Sequence, residues 1–273
     1  MERADRGLET LCKAAEELGQ PLLRWLAVHL QIHRSMAAGR LREVEDLCQE
    51  SQRLGEAVGQ PDAAAWRAGP VAVVRLFQGR AEEAFDLMEP VARQGGAVVF
   101  RAGLACALAE MGRLEEAGRL VADMRPGGFA GIPADHLRIF TLGFLARACV
   151  RLDNADVASE LYELLLPHRD RMVVSLTAWL GPATHHLGLL ATVVGDFDAA
   201  EAHFQHAVEV QERLGARATL AHTRYEWGLL LLRRRGPGDR EGARAMLQAA
   251  LADARQADLP HIERRISEAL GTA

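Results

Sequence analysis

Gly195-Asp196-Phe197-Asp198-Ala199-Ala200-Glu201-Ala202-His203-Phe204 carries the pattern from which the architecture follows. The first two residues form a turn that ends one helix, because glycine adopts backbone angles that other residues disfavour. Ala200 stands five positions after the glycine and is small enough to let a neighbouring helix approach. Phe204 stands nine positions after it and fills the space between helices. The stretch therefore predicts the second helix of a helical hairpin.

The same signature occurs six times along the chain, at intervals of 33 to 43 residues. The turn pairs are Gly39-Arg40, Gly79-Arg80, Gly112-Arg113, Asp153-Asn154, Gly195-Asp196 and Gly238-Asp239. The small positions are Val44, Ala84, Ala117, Ala158, Ala200 and Ala243, and the bulkier positions are Cys48, Met88, Val121, Tyr162, Phe204 and Leu247. Repetition at this period predicts an all-α fold, a right-handed α-solenoid of about six helix pairs with additional helices at the ends.

Glycine and proline clusters set the predicted helix boundaries. The predicted helices cover residues 4–18, 22–38, 41–58, 63–78, 81–93, 98–111, 114–124, 135–152, 155–166, 177–194, 197–214, 216–235, 240–257 and 261–270. Asp135 is predicted to cap the helix that begins there. No run of alternating β-branched residues or hairpin signal is present, so we expect no strands.

We predict one helical-repeat domain over residues 1–273. The longest irregular segment is the connector at residues 125–134, which contains three glycines and two prolines and cannot be helical. A subdivision of the domain at this connector stays open.

The composition excludes several classes of function. The net charge is −5, and no basic stripe is present, so we expect no direct binding of nucleic acid. Lys13 is the only lysine, and a phosphate-binding P-loop needs a lysine after its glycine-rich turn. We find no nucleophile elbow and no paired carboxylates in a credible cleft. We therefore predict that the chain is not an enzyme and takes no cofactor.

Several features predict a cytoplasmic protein. The four cysteines lie far apart and are typical of small core residues in a reducing compartment. The N-terminus lacks the apolar core of a signal peptide. Residues 172–195 contain no acidic residue, lysine or arginine. Gly181-Pro182 and His185-His186 nevertheless interrupt this apolar stretch. We interpret this segment as a buried inner helix and not as a membrane span.

The turn, small residue and aromatic residue resemble the second helix of the tetratricopeptide repeat. Leu187-Gly188 and Trp227-Gly228 resemble the Leu-Gly pair of its first helix. The match is closest in the last two units and loose in the first two.

A narrower resemblance covers about the second half of the chain. Its marks are 161–167, Leu187-Gly188, 195–201, Leu214-Gly215, Leu220-Ala221-His222-Thr223 and Gly236-Pro237-Gly238-Asp239. In this order they look like the C-terminal helical region of bacterial signalling ATPases, typically actinobacterial, including MalT-like regulators of the LuxR family and ATPases fused to nucleotide-cyclase domains. The resemblance implies a sensor or scaffold, with the ATPase, cyclase or DNA-binding parts outside these residues.

In a tetratricopeptide array the first helix of each pair lines the concave surface. Mapping its inward positions onto this sequence selects the candidate binding residues His29, His33, Trp66, Phe77, Arg147, His185, His222 and Tyr225. Aromatic, histidine and arginine side chains on one wall suit a peptide or a small anionic effector. The alternative interpretation is that a shifted register places about half of them in the core.

The histidines do not predict a metal site. His29 and His33 stand four residues apart on one helix, but the glutamate that a metalloprotease needs does not follow His29. His185 and His186 are adjacent and point to different sides of a helix. A metal ion needs three or four converging ligands, so we predict none.

These features favour a non-catalytic scaffold in a signalling or transcription-regulating system. We expect it to bind a protein or peptide segment on its concave face, and homo-oligomer formation stays open. The alternatives are a domain that senses a small effector and the regulatory fragment of a larger ATPase or cyclase. An enclosed pocket near Arg147, His185 and Tyr225 favours sensing, whereas an open groove favours peptide binding.

Overall fold

The computed structural model describes residues 2–272, with side chains over residues 5–271. The described residues form 14 α-helices, two short 3-10 turns and one two-stranded hairpin. The helices are α1 Glu2–Leu18, α2 Pro21–Ala38, α3 Leu41–Ala57, α4 Ala63–Phe77, α5 Ala81–Arg93, α6 Val98–Glu110, α7 Leu114–Asp123, α8 Arg138–Leu152, α9 Ala155–Leu165, α10 Ala183–Val194, α11 Phe197–Leu214, α12 Arg217–Arg234, α13 Asp239–Gln256 and α14 Pro260–Thr272. The 3-10 turns are Phe129–Gly131 and Leu166–His168, and the strands are β1 Met172–Val174 and β2 Trp179–Pro182.

The helices pack in sequential neighbouring pairs, which confirms an all-α fold of repeated helix pairs. The first residue of all six turn signatures has a positive φ, from 47° at Asp153 to 91° at Gly195. The six small positions are fully buried. Apart from α8 and α10, the predicted helix boundaries agree with the observed ones to within two residues.

Phe204 shows how the bulky position works. Its ring packs against Gly188 of the preceding helix, where an added Cβ would come within 2.7 Å of the ring. Phe204 itself is fully buried. The Leu-Gly pair and the aromatic residue of the signature therefore meet across the α10–α11 contact, and a side chain at Gly188 would force the two helices apart.

The hairpin contradicts our expectation of no strands and of a helix from residue 177. β1 and β2 pair antiparallel, with Met172 opposite Pro182 and Val173 opposite Gly181. Gly181 has φ of 98°, which an α-helix does not accommodate, and Pro182 is extended. The Ser175 hydroxyl accepts the N–H groups of Thr177 and Ala178 and so stabilises the turn. Because of these local signals the helix begins at Ala183, six residues later than apolar content alone predicted.

The hairpin occupies the interior of the protein. β2 is buried along its whole length and contacts α2, α4, α10 and α11, while β1 contacts α8. The Trp179 ring lies 5.5 Å from the His33 ring of α2. The interpretation of residues 172–195 as one buried inner helix was therefore correct only for α10, which is 12 residues long. Within residues 2–272, no helix has both the length and the apolar character that crossing a membrane requires.

The predicted cap at Asp135 was also wrong. The helix begins at Arg138, and the Asp135 carboxylate instead accepts the Leu137 N–H at 2.9 Å in the turn before it. In the preceding connector Phe129 is fully buried, and the Glu160 carboxylate of α9 accepts its N–H. The connector is thus fixed to α9, and α6 and α8 pack directly on each other.

Helices from the two ends of the chain also contact each other. α2 packs on α12, and Arg42 donates to Asp258 at 2.7 Å. Phe77 of α4 and His222 of α12 have ring centroids 5.2 Å apart. His261 of α14 lies against the backbone of Gly79, where an added Cβ would come within 2.1 Å of the ring. The first two helix pairs therefore support the last two.

Candidate functional site

Two cavities lie at opposite ends of α6 and α8. We call the first the polar chamber. It has a volume of about 260 Å³ and is lined by Glu110, Gly112, Leu114, Arg147, Val150, Arg151, His185, Leu189, His222, Glu226, Leu229 and Arg265. The second, the apolar cavity, has a volume of about 390 Å³. Its lining includes Trp66, Met88, Val99, Phe100, Phe140, Phe144 and Leu176.

The even-numbered helices position both cavities. α6, α8, α10 and α12 are buried on most sides, because they lie between their hairpin partners and the interior. A helix that is apolar all round is typical of such a position. The few polar residues on these helices consequently face the interior. The C-terminal ends of α6 and α8 meet the first half of α10 and the middle of α12 in the polar chamber.

Arg147 lies at the centre of the polar chamber. Its side chain is only 9% exposed, and its guanidinium carbon lies 5.5 Å from the centroid of the Phe77 ring. Among the described residues the nearest carboxylate oxygen belongs to Glu110, at 4.0 Å. The buried Nε of Arg147 has no hydrogen-bond partner.

Arg265 reaches the chamber from α14. Its guanidinium lies 3.6 Å from the second carboxylate oxygen of Glu110 and 5.2 Å from the centroid of the Tyr225 ring. Glu110 is thus shared by two arginines from distant parts of the chain. Neither arginine makes a hydrogen-bonded ion pair with it at these distances.

Burial and the neighbouring arginines keep the chamber histidines neutral. The pKa values of His185 and His222 lie well below the ordinary value, first because burial disfavours the charged form and then because of neighbouring charges, Arg147 among them. Burial also raises the pKa of Glu226. Because the histidines are neutral, the charge of the chamber comes from its three arginines and two glutamates.

The hydrogen bonds around His185 determine which of its two ring nitrogens carries the proton. The Thr223 hydroxyl donates its single proton to the Thr219 carbonyl at 3.0 Å. The same oxygen lies 3.0 Å from Nδ1 of His185 and therefore accepts a hydrogen bond from the N–H group at that position. Since the ring is neutral, its Nε2 carries a lone pair. On α12, the buried Nε2 of His222 has no partner.

The eight predicted site residues fall into two groups. Arg147, His185 and His222 line the polar chamber. Phe77 packs beneath Arg147 and beside His222, and Tyr225 packs beneath Arg265. Five of the eight residues therefore form or support one site.

The other three residues lie around the hairpin and the apolar cavity. Trp66 lines that cavity, and His29 packs between Trp25 and Trp66 with ring centroids 4.4 and 4.7 Å away. The Ser51 hydroxyl lies 2.8 Å from Nε2 of His29. Burial lowers the pKa of His29 to about 4. His33 is half-buried and packs on Trp179, so both histidines contact aromatic rings of the core and neither lines the polar chamber.

Glu226 and Arg265 were missed as site residues. Glu226 stands four positions after His222 and therefore shares its helix face, a spacing that the sequence displays. Arg265 has no such signal, because it reaches the chamber only through the packing of α14 on α12 and α13.

The described side chains contain no group of three or more histidine, cysteine or acidic residues arranged to hold a metal ion. All four cysteines are free thiols, and Cys48, Cys106 and Cys149 are buried, as predicted for core residues. No protein-family model matches the chain, and no curated protein is significantly similar to it. The assignment of a function therefore depends on the geometry of the two cavities.

Proposed function

We propose that this chain is a non-catalytic sensor domain that binds a small effector in the polar chamber and passes the binding event to a signalling or transcription-regulating partner in the bacterial cytoplasm. In this proposal the helix pairs form a right-handed solenoid of tetratricopeptide type. Its inner wall supplies the chamber. The domain serves as the regulatory part of a larger system.

The observation that carries the proposal is that helices from distant parts of the chain bring buried polar groups together around one cavity. Glu110 of α6 and Arg265 of α14 lie 3.6 Å apart across the chamber. His222 connects the same space to Phe77 of α4. A ligand held here contacts both halves of the array at once, so its binding energy depends on how the halves are arranged.

The experiment is a thermal-shift and native mass-spectrometry screen of small polar metabolites. The test variant is Leu114→Trp, which narrows the chamber at a residue that is 43% exposed. The matched control is Leu30→Trp, at a similarly exposed leucine outside the chamber. We expect at least one compound to raise the melting temperature of the wild-type protein and to be recovered chemically unchanged. Its stabilising effect should be lost in Leu114→Trp and kept in Leu30→Trp.

Two results would contradict the proposal. One is a screen in which no compound stabilises the wild-type protein. The other is a stabilising compound whose effect is the same in all three proteins, since that compound would bind elsewhere. Conversion of the bound compound into a product would contradict the non-catalytic part.

A second candidate function is recognition of a protein segment at the apolar cavity. Trp66, Phe140 and Leu176 surround an opening at the hairpin turn, and Leu176 is 58% exposed. Exposed apolar groups beside a cavity suit the side chain of a partner peptide. Peptide-array binding that is lost in Leu176→Ser and kept in Leu114→Trp would favour this function over effector sensing.

A further inference from the structure

We propose that the polar chamber holds its ligand through a carboxylate or phosphate group placed between Arg147 and Arg265. This inference rests on the proposed function, since it names the chemistry of the effector.

Arg147 is a buried cation without an adequate partner. A buried guanidinium is costly unless a carboxylate or another acceptor hydrogen-bonds to it. The nearest carboxylate oxygen, on Glu110, stands at 4.0 Å, beyond hydrogen-bond distance, and the buried Nε has no partner. Oxyanions match the planar fork of arginine. An oxyanion bound in the chamber would therefore supply the hydrogen-bond acceptors that this side chain lacks.

Four other largely buried arginines each donate a hydrogen bond to a carboxylate. Arg75, which is 13% exposed, donates to Glu45 at 2.7 Å, and Arg234 donates to Asp239 at 2.7 Å. Arg224 similarly donates to Asp253, and Arg34 to Asp5. Arg147 is more buried than any of them, and it shares the lack of a hydrogen-bonded carboxylate with Arg265, which is 24% exposed. Among these arginines, the missing carboxylate is thus confined to the chamber, although Arg34 also has one buried N–H group without a partner.

The charges of the chamber favour an anion. Its lining contains Arg147, Arg151 and Arg265 against Glu110 and Glu226, so one positive charge is in excess even with both carboxylates ionised. Glu110 is divided between Arg147 and Arg265, with one oxygen near each. A ligand oxyanion between the same two guanidinium groups would give each of them a closer partner.

The remaining polar atoms favour a hydroxylated anion. The lone pair on Nε2 of His185 accepts a hydrogen bond, and a ligand hydroxyl is a suitable donor. The volume of about 260 Å³ suits a small organic acid or a small phosphorylated compound.

The experiment is isothermal titration calorimetry of the whole chain with two probes, inorganic phosphate and malate, at one ionic strength set with sodium chloride. Phosphate tests a phosphate group, and malate tests a hydroxylated carboxylate. The test variant is Arg147→Met, and the matched control is Arg75→Met, which removes an arginine that already has its carboxylate. A second test variant, Arg265→Met, serves if circular dichroism shows that Arg147→Met is unfolded.

We expect at least one probe to bind saturably to the wild-type protein. Binding should weaken at least roughly tenfold in either chamber variant, the equivalent of one lost charge-assisted interaction, and should change less than about twofold in Arg75→Met. Glu110→Gln should bind the same probe more tightly, because it removes the carboxylate that competes for both arginines. A purely structural role for Arg147 would not predict that gain.

Other results overturn the inference and leave the proposed function distinguishable. If neither probe binds, or if both chamber variants bind like the wild type, the chamber does not recognise an oxyanion. If a neutral compound from the metabolite screen is excluded by Leu114→Trp but unaffected by Arg147→Met, the sensor proposal stands and the anion inference is wrong. If no compound of any charge binds in the chamber, both are wrong.

Discussion

Arg75 and Arg147 are both largely buried arginines on the first helix of a hairpin, but only Arg75 has a carboxylate within hydrogen-bonding distance. Arg75 belongs to the repeat framework, by which we mean the helix pairs and their signature positions, where Glu45 of the previous hairpin pairs with it. Arg147 belongs to the polar chamber, where its charge faces neutral histidines and a shared glutamate. The framework gives Arg75 a hydrogen-bonded carboxylate, whereas the chamber leaves Arg147 without one.

The same difference appears in packing. Ala200 is fully buried where α10 and α11 meet, and the neighbouring Gly188 leaves no room for a side chain. Around the chamber, the half-buried Val150 borders an empty volume. A framework position therefore resists enlargement, whereas a chamber position accepts it.

The packing difference gives the first prediction. Ala200→Leu should lower the free energy of unfolding by up to about 3 kcal/mol, because the larger side chain forces two close-packed helices apart. Val150→Leu, which adds one methylene group beside the chamber, should change it by less than about 0.5 kcal/mol. Urea denaturation followed by circular dichroism measures both. Similar losses in the two variants would show that the chamber is as tightly packed as the framework.

The arginine difference gives the second prediction. Arg75→Met should lower the free energy of unfolding by about 1 to 2 kcal/mol, because it leaves Glu45 without its partner. Arg147→Met should leave stability unchanged or raise it, because methionine removes an inadequately paired buried charge and keeps the contact with Phe77. The measurement is the same denaturation series without added anions. A loss at Arg147 as large as that at Arg75 would mean that the chamber is already satisfied.

The third prediction concerns the contact that brings α14, and with it Arg265, to the chamber. Gly79→Ala and Gly195→Ala both place a side chain at a left-handed turn, but only Gly79 faces another residue, His261. Gly79→Ala should therefore lose roughly 1 kcal/mol more than Gly195→Ala. Thermal melts compare the two. Equal losses would imply that α14 tolerates a shift of the His261 ring.

The fourth prediction is a pH dependence. The pKa of His29 is lowered to about 4 by burial, so the unfolded chain binds a proton near pH 6.5 that the folded chain does not. The stability that depends on neutral His29 is present above pH 6.5 and is lost as the pH falls from there towards 4. His29→Leu should flatten this part of the profile, measured as denaturation midpoints between pH 7 and 4. If His29→Leu keeps the wild-type dependence of the midpoint on pH, that dependence arises from His185, His186 and His222 instead.

The repeat framework could be predicted from the sequence because its determinants are local. Gly195, Ala200 and Phe204 lie within ten residues, and each acts on the adjacent helix. The turn at Ser175 and the extended Pro182 are local too, but the surrounding apolar residues suit a buried helix and a buried strand equally well. That ambiguity explains why the hairpin was missed.

The candidate site was predictable only in part. Arg147, His185 and His222 follow from their positions on the first helix of each pair, once the period is known. Arg265 and the division of Glu110 between two arginines depend on contacts between residues more than a hundred positions apart, which a single sequence does not display. His29 and His33 were selected by the same positional rule as the chamber residues, yet His29 packs between two tryptophans and His33 packs on Trp179 of the hairpin.

The contacts between the first and the last helix pairs affect how this protein unfolds. A linear repeat array frays from its terminal units, because each end has only one neighbour. Here Arg42 with Asp258 and Gly79 with His261 give both ends a second neighbour. Fraying at either terminus would also remove support from the opposite one, so the array should melt as a single cooperative unit and not unit by unit.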